Sequence, residues 1–115
     1  MYQILGGLNK TSGITGSLLV VSDGIIIAAD LDTRFQDETV GALAASIVST
    51  VDRSLEKLQS TPFRQVTIEA EKGKLFLTDV GIGVLVVTTE PDVNVGLVRL
   101  EIKNAQQKIK DRESI

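Results

Sequence analysis

With 115 residues, 43% of them hydrophobic and 23% charged, the chain has the make-up of one folded globular domain, which excludes disordered and fibrous classes. It contains neither cysteine nor histidine, so disulfides, thiolate nucleophiles, most zinc sites and an imidazole base are ruled out. Twelve basic against fifteen acidic residues give a net charge of −3, and no basic cluster with interleaved aromatics offers a nucleic-acid surface.

Tyr2 to Leu8 has Ile4, Leu5 and Leu8 at helical spacing, which predicts a short helix even though Gly6 and Gly7 each cost about 1 kcal/mol relative to alanine. No basic residue precedes this apolar stretch, so no secretory leader is expected. The longest apolar runs, Gly24 to Ala29 and Gly81 to Val87, fall far short of the roughly 20 residues that span a bilayer. The absence of cysteine is compatible with a reducing compartment, and a cytoplasmic protein without a membrane span is the expectation.

Thr11 to Gly16, rich in glycine, serine and threonine, reads as a connection into a strand over Ser17 to Val21. Ser22-Asp23-Gly24 then supplies the residues that tolerate positive φ in a tight hairpin turn, and Ile25 to Ala29 is the return strand. After a polar stretch from Leu31 to Gln36, Asp37 and Glu38 offer a cap and an acid suited to the positive end of a helix dipole. The long helix that follows has Val40, Leu43, Ala44, Ile47, Val48, Val51, Leu55 and Leu58 at three-four spacing, the signature of one buried stripe.

Pro62 closes the connection after that helix, and strands resume at about Arg64. Val66, Ile68 and Ala70 alternate with Thr67, Glu69 and Glu71, a strand with one wet or partner-facing side. Lys72-Gly73 turns the chain into Leu75 to Thr78, and Asp79 to Gly83 leads to Val84 to Thr89. Both of these strands are apolar at consecutive positions, so both of their faces should be covered. Asn94 can cap a last helix with Val98, Ile102, Ala105 and Ile109 inward and Lys103, Gln106, Lys110 and Asp111 outward, ending in a charged, frayed tail. The order is α-β-β-α-β-β-β-α, an α/β chain of the α+β kind, and no repeat or linker divides residues 1–115.

Three stretches carry a family resemblance through their order and spacing: Gly16 to Ala28 (GSLLVVSDGIIIA), Gly41 to Ser46 (GALAAS) and Val95 to Ile102 (VGLVRLEI). They resemble the Roadblock family, to which dynein light chains, lysosomal scaffold subunits and bacterial polarity-GTPase regulators belong. The resemblance implies a profilin-like, five-stranded antiparallel sheet sandwiched by helices. It also implies dimerisation through the long helix and the third strand, and work as a platform for small Ras-like GTPases.

The long helix has its own physical reading. At about 100° per residue, Gly41, Ala42, Ala45, Ser46, Ser49, Asp52, Arg53 and Glu56 lie opposite the apolar stripe. A solvated helix face normally carries lysine, glutamate and glutamine, whereas small side chains permit close backbone approach. A second helix is therefore expected on this flank, the alternative being a plain solvent face or contact with a loop of the same chain. Two copies crossing about a two-fold axis near Ala45 and Ser49 would bring Arg53 toward the other copy, with Asp52 and Glu56 at the rim. Edge pairing of the third strand, with Thr67, Glu69 and Glu71 on one side, would remove an unpaired edge.

Catalytic motifs are weak. Gly7-Leu8-Asn9-Lys10-Thr11 lacks the glycine before lysine of a phosphate loop, and Gly81-Ile82-Gly83 lacks the third glycine of a dinucleotide turn. Asp30 and Asp32, even with Asp37 and Glu38, sit in no loop of metal-binding length, and no serine or threonine has a visible activating base. Arg34, in the loop beside the long helix, is the candidate for contact with a GTPase. No catalytic residue, cofactor or metal is expected. The chain reads as a homodimeric, non-enzymatic regulator or scaffold for a small Ras-like GTPase, stimulating it or sensing its nucleotide state. The alternatives are a small-molecule sensor domain and a structural subunit of a motor or scaffold complex.

Overall fold

The computed structural model describes residues 1–113. Helix α1 spans Tyr2–Asn9, strands β1 and β2 Ile14–Val20 and Ile26–Asp30, and helix α2 Asp37–Lys57. Strands β3, β4 and β5 follow at Gln65–Ala70, Gly73–Asp79 and Val84–Thr89, and helix α3 closes the fold over Val95–Glu113. The strands form one antiparallel sheet in the order β2-β1-β5-β4-β3. The α+β order and the five-stranded sheet agree with the reading from sequence.

Helices cover both faces of the sheet, which explains its doubly apolar centre. Leu18 and Leu19 are neighbours in β1 that point to opposite faces, and both are 0% exposed. On one face, Leu5 and Leu8 of α1 and Val98, Ile102, Ala105 and Ile109 of α3 pack with Leu19, Phe76, Leu85 and Val87. On the other, Ala44 and Val48 of α2 pack with Leu18, Val20, Leu77 and Val86, joined by Phe63. Each fully buried aliphatic side chain in these layers contributes roughly 1.5–3 kcal/mol. Helix α1 holds despite its glycines because Asn9 ties it to the sheet: its Nδ2 donates to the Asp30 carbonyl and its Oδ1 accepts from Ser17 Oγ, both at 2.8 Å.

Several local expectations need correction. Strand β1 starts at Ile14, not Ser17, because Ile14 and Gly16 already pair with Thr89 and Thr88. Gly16 belongs to the strand because the chain passes so close that a Cβ there would lie 2.8 Å from Leu31 Cα. The N-cap of α2 is Gln36, with Asp37 and Glu38 inside the first turn, where their charge still suits the helix dipole. Gln106 does not face solvent freely: its Nε2 donates to the Asp79 carbonyl at 2.7 Å. The Asn94 cap is present, its Oδ1 accepting the Leu97 N–H at 3.0 Å.

The largest correction concerns the orientation of α2. Its buried residues are Gly41, Ala44 and Val48, whereas Leu43 is 57% and Leu58 71% exposed. The assumed stripe of large apolar side chains is therefore rotated partly away from the core, and Gly41, expected on the far flank, faces inward. The cause is the close approach of α2 to β2, where a Cβ on Gly41 would sit 3.2 Å from Ile26 Cγ1. The small residues seat the helix on its own sheet, and Leu43 is left outside.

Candidate functional site

Helix α2 lies over β1 and β2 and packs on Leu77 and Val86, which leaves the same face of the sheet open at the end near Leu75, Thr88 and Ile68. A groove of 480 Å³ results, walled by Val40 and Leu43 of α2 on one side and by Leu75 and Val86 on the other. A shallower extension of 250 Å³ continues it past Leu75 to Ile68 and Ala70 of β3. The lining is mostly apolar. Leu43, the half-buried Ile47, Thr50 and Ser54 fall at i, i+4, i+7 and i+11, so they form one continuous ridge along the open side of α2.

Strand β3 is the edge of the sheet, and its two faces are fixed by register. Val66 lies opposite Leu77 and Ile68 opposite Leu75, so both are on the α2 side of the sheet, where Val66 packs on the core and Ile68, 39% exposed, lines the groove's extension. Thr67 lies opposite Phe76 and faces α3 instead, accepting a hydrogen bond from Arg99 Nη2 at 3.4 Å. Glu69, two residues on, shares that face. Leu43, Ile68 and Leu75 are thus groove residues that the reading from sequence did not single out. Their signal was present in the alternation of β3, but which face would be left open depends on where α2 sits.

The loop between β2 and α2 overhangs the groove mouth. Asp32 Oδ1 accepts the Arg34 N–H at 3.0 Å, and the Phe35 N–H donates to the Asp32 carbonyl at 3.0 Å. Arg34 Nη2 lies 3.3 Å from Asp32 Oδ2, and its guanidinium stands 5.4 Å from the centre of the Phe35 ring. That backbone hydrogen bond, joined by the guanidinium, holds the Asp32 carboxyl below its ordinary range. Arg34 is consequently held at the rim with its side chain 60% exposed, and Phe35 is 40% exposed beside it.

The other residues singled out from sequence separate into three groups. Ala42, Ser46, Ser49, Arg53 and Glu56 lie on the exposed surface of α2, and Ala45 is half-buried near the hairpin. Gly41 and Asp52 serve the chain's own fold, Asp52 by accepting the Phe63 N–H at 3.2 Å and so anchoring the segment after the helix. Thr67 and Glu69 are on the opposite face of the sheet from α2. Among the described residues, no three carboxylates gather into a metal-holding group, and no helix is long and apolar enough to cross a membrane.

Comparison with known proteins places this geometry. The model of the Roadblock/LC7 domain family matches residues 2–89. Two proteins of Methanocaldococcus jannaschii, named as uncharacterized proteins MJ1340 and MJ0310, are each 41% identical over 108 residues, covering 94% of this chain and 95% of theirs. Among solved structures, a Roadblock/LC7 domain from Streptomyces avermitilis superposes with a TM-score of 0.90 at 19% identity, covering 100% of this chain and 98% of that one. Myxococcus xanthus MglB does so with a TM-score of 0.91 at 24% identity, covering 97% and 86%. A structure described as MglB with tetrameric arrangement gives 0.86 at 19% identity, covering 99% and 89%.

Proposed function

The chain belongs to the Roadblock/LC7 domain family, and from that premise we propose that it is a homodimeric, non-enzymatic regulator or scaffold that receives a small Ras-like GTPase. A regulatory or scaffold role is the broad reading that membership supports. The single observation that carries the finer one is the exposed Leu43 of α2, which faces an apolar groove that runs on to the edge strand. Leu43, 57% exposed, and Ile68, 39% exposed, stand at the two ends of this apolar lining, a surface that association would dry. The occupant in this reading is a second copy, whose α2 enters the groove while the β3 edges pair, and the tetrameric MglB relative supports assembly through this fold.

In that dimer the contact is formed by Leu43, Ala42, Ser46 and Ser49 on α2 and by Ile68 on β3, with Arg53 and Glu56 at the rim. Arg34 and Phe35 line the mouth of each groove, and in this reading the outward, solvent-facing part of the Arg34 side chain meets the GTPase. The test is binding of purified small Ras-like GTPases from the same organism, loaded with GDP or with a non-hydrolysable GTP analogue. The reading expects one nucleotide state to bind at least tenfold tighter, and Arg34→Ala to weaken that binding without altering the dimer. Equal or absent binding in both states would contradict it. The groove also has the volume and apolar lining of a small-ligand site, which supports a second reading as a sensor domain. Melting that rises with an apolar small molecule, and not with a GTPase, would favour that reading.

A further inference from the structure

The face of the sheet under α1 and α3 is also uncovered at one end. Between the flank of α3 and the β3–β4 pair lies a hollow of 430 Å³, lined in part by Arg64, Gln65, Thr78, Asp79, Gln106 and Lys110. It shares no lining residue with the groove beside α2.

Its chemistry is that of an anion site. Arg64 reaches it from the residue before β3 and Lys110 from the last turn of α3, and neither has an ion-pair partner among the described residues. Thr78 contributes to the lining at only 5% exposure, and its Oγ1 is buried with no hydrogen-bond partner. A buried hydroxyl left unpaired is a standing cost, and a turn of the Thr78 side chain toward the hollow would let a ligand oxygen relieve it. Asp79 puts one carboxylate on the wall, a charge that Arg64 and Lys110 together outnumber. Asp79 Oδ1 accepts the Gly81 N–H at 3.0 Å, and the Asp79 carbonyl accepts from Gln106 at 2.7 Å, which leaves Gln106 a second N–H to donate.

We propose that this hollow binds a phosphate monoester. A guanidinium fork, an ammonium, an amide and a hydroxyl set around one space suit an oxyanion with three terminal oxygens, whereas a planar carboxylate is satisfied by the arginine fork alone. The volume exceeds that of a bare ion, leaving room for the esterified organic group. The site does not depend on the dimer, so either can fail without the other.

The test titrates the full chain with O-phosphoserine, inorganic phosphate and succinate at ionic strength held constant with sodium chloride, following the amide resonances of Thr78 and Gln106. Saturable shifts with O-phosphoserine are expected, weaker with inorganic phosphate and weakest with succinate. Arg64→Gln and Lys110→Gln should each weaken O-phosphoserine at least tenfold, whereas Lys103→Gln, the same charge change on α3 outside the hollow, should alter it less than twofold. Thr78→Val keeps the shape, and should weaken binding while raising the Tm of the free protein. Equal responses to chloride or succinate, tighter binding of inorganic phosphate than of the ester, equal losses in all three charge variants, or a lower Tm for Thr78→Val would each overturn the proposal.

Discussion

The two long helices, α2 and α3, carry apolar stripes of the same period and meet different fates. In α3, Val98, Ile102, Ala105 and Ile109 are all buried, at 0–4% exposure, against the chain's own sheet. In α2, Ala44 and Val48 are buried at 1% and 5% while Leu43 stays 57% exposed. Periodicity shows that a helix has an apolar side; it does not show whose core that side fills. What decides it is the size of the residues at closest approach, because Gly41 and Ala44 let α2 sit low on β2 and turn its larger side chains toward the groove.

Truncations sharpen the contrast. Ile109→Ala should lower stability by roughly 2–5 kcal/mol, since it opens a cavity in a closed core. Leu43→Ala, measured by urea unfolding at dilution where the chain is monomeric, should cost less than about 1 kcal/mol. Equal losses would mean that α2 is no more open than α3. Next in size is Gly41→Val, which forces branched methyls toward Ile26 and should cost about 1–3 kcal/mol by the same measurement. A neutral result would show that α2 can lift from β2 and that Gly41 does not set its height. The smallest effects concern α1, where a Cβ on Gly6 or Gly7 meets nothing within 4 Å. Each Gly→Ala change there should raise stability by about 0.5–1 kcal/mol through the unfolded state, and a loss would reveal a close contact on that surface.

How much of this was legible in the sequence follows from the range of the interactions involved. The hairpin at Asp23-Gly24, the alternation of β3 and the stripe of α3 are written in residues a few positions apart, and each appears where the pattern placed it. The family resemblance, carried by three such stretches, was legible for the same reason. The roll of α2 about its axis was not, because it depends on Gly41 meeting Ile26 across the connection between β2 and the helix. Nor was the service of Asp52 to Phe63, which turns an apparent rim carboxylate into an internal anchor. Thr67 and Glu69 carry their side chains on the α3 face, which the register with β4 sets and the alternation of β3 alone does not. Arg34 was placed correctly in the loop beside α2, but its clasp on Asp32 and Phe35 is a property of the folded loop.

In the proposed dimer, a second copy of the chain covers Leu43 of α2. Sedimentation equilibrium of the wild type against Leu43→Glu over a wide concentration range tests it most directly, with circular dichroism confirming that both are folded. A wild-type dimer and a folded Leu43→Glu monomer are the expected pair of results. A wild type that stays monomeric at high concentration, or a variant that dimerises as tightly as its parent, would contradict the account.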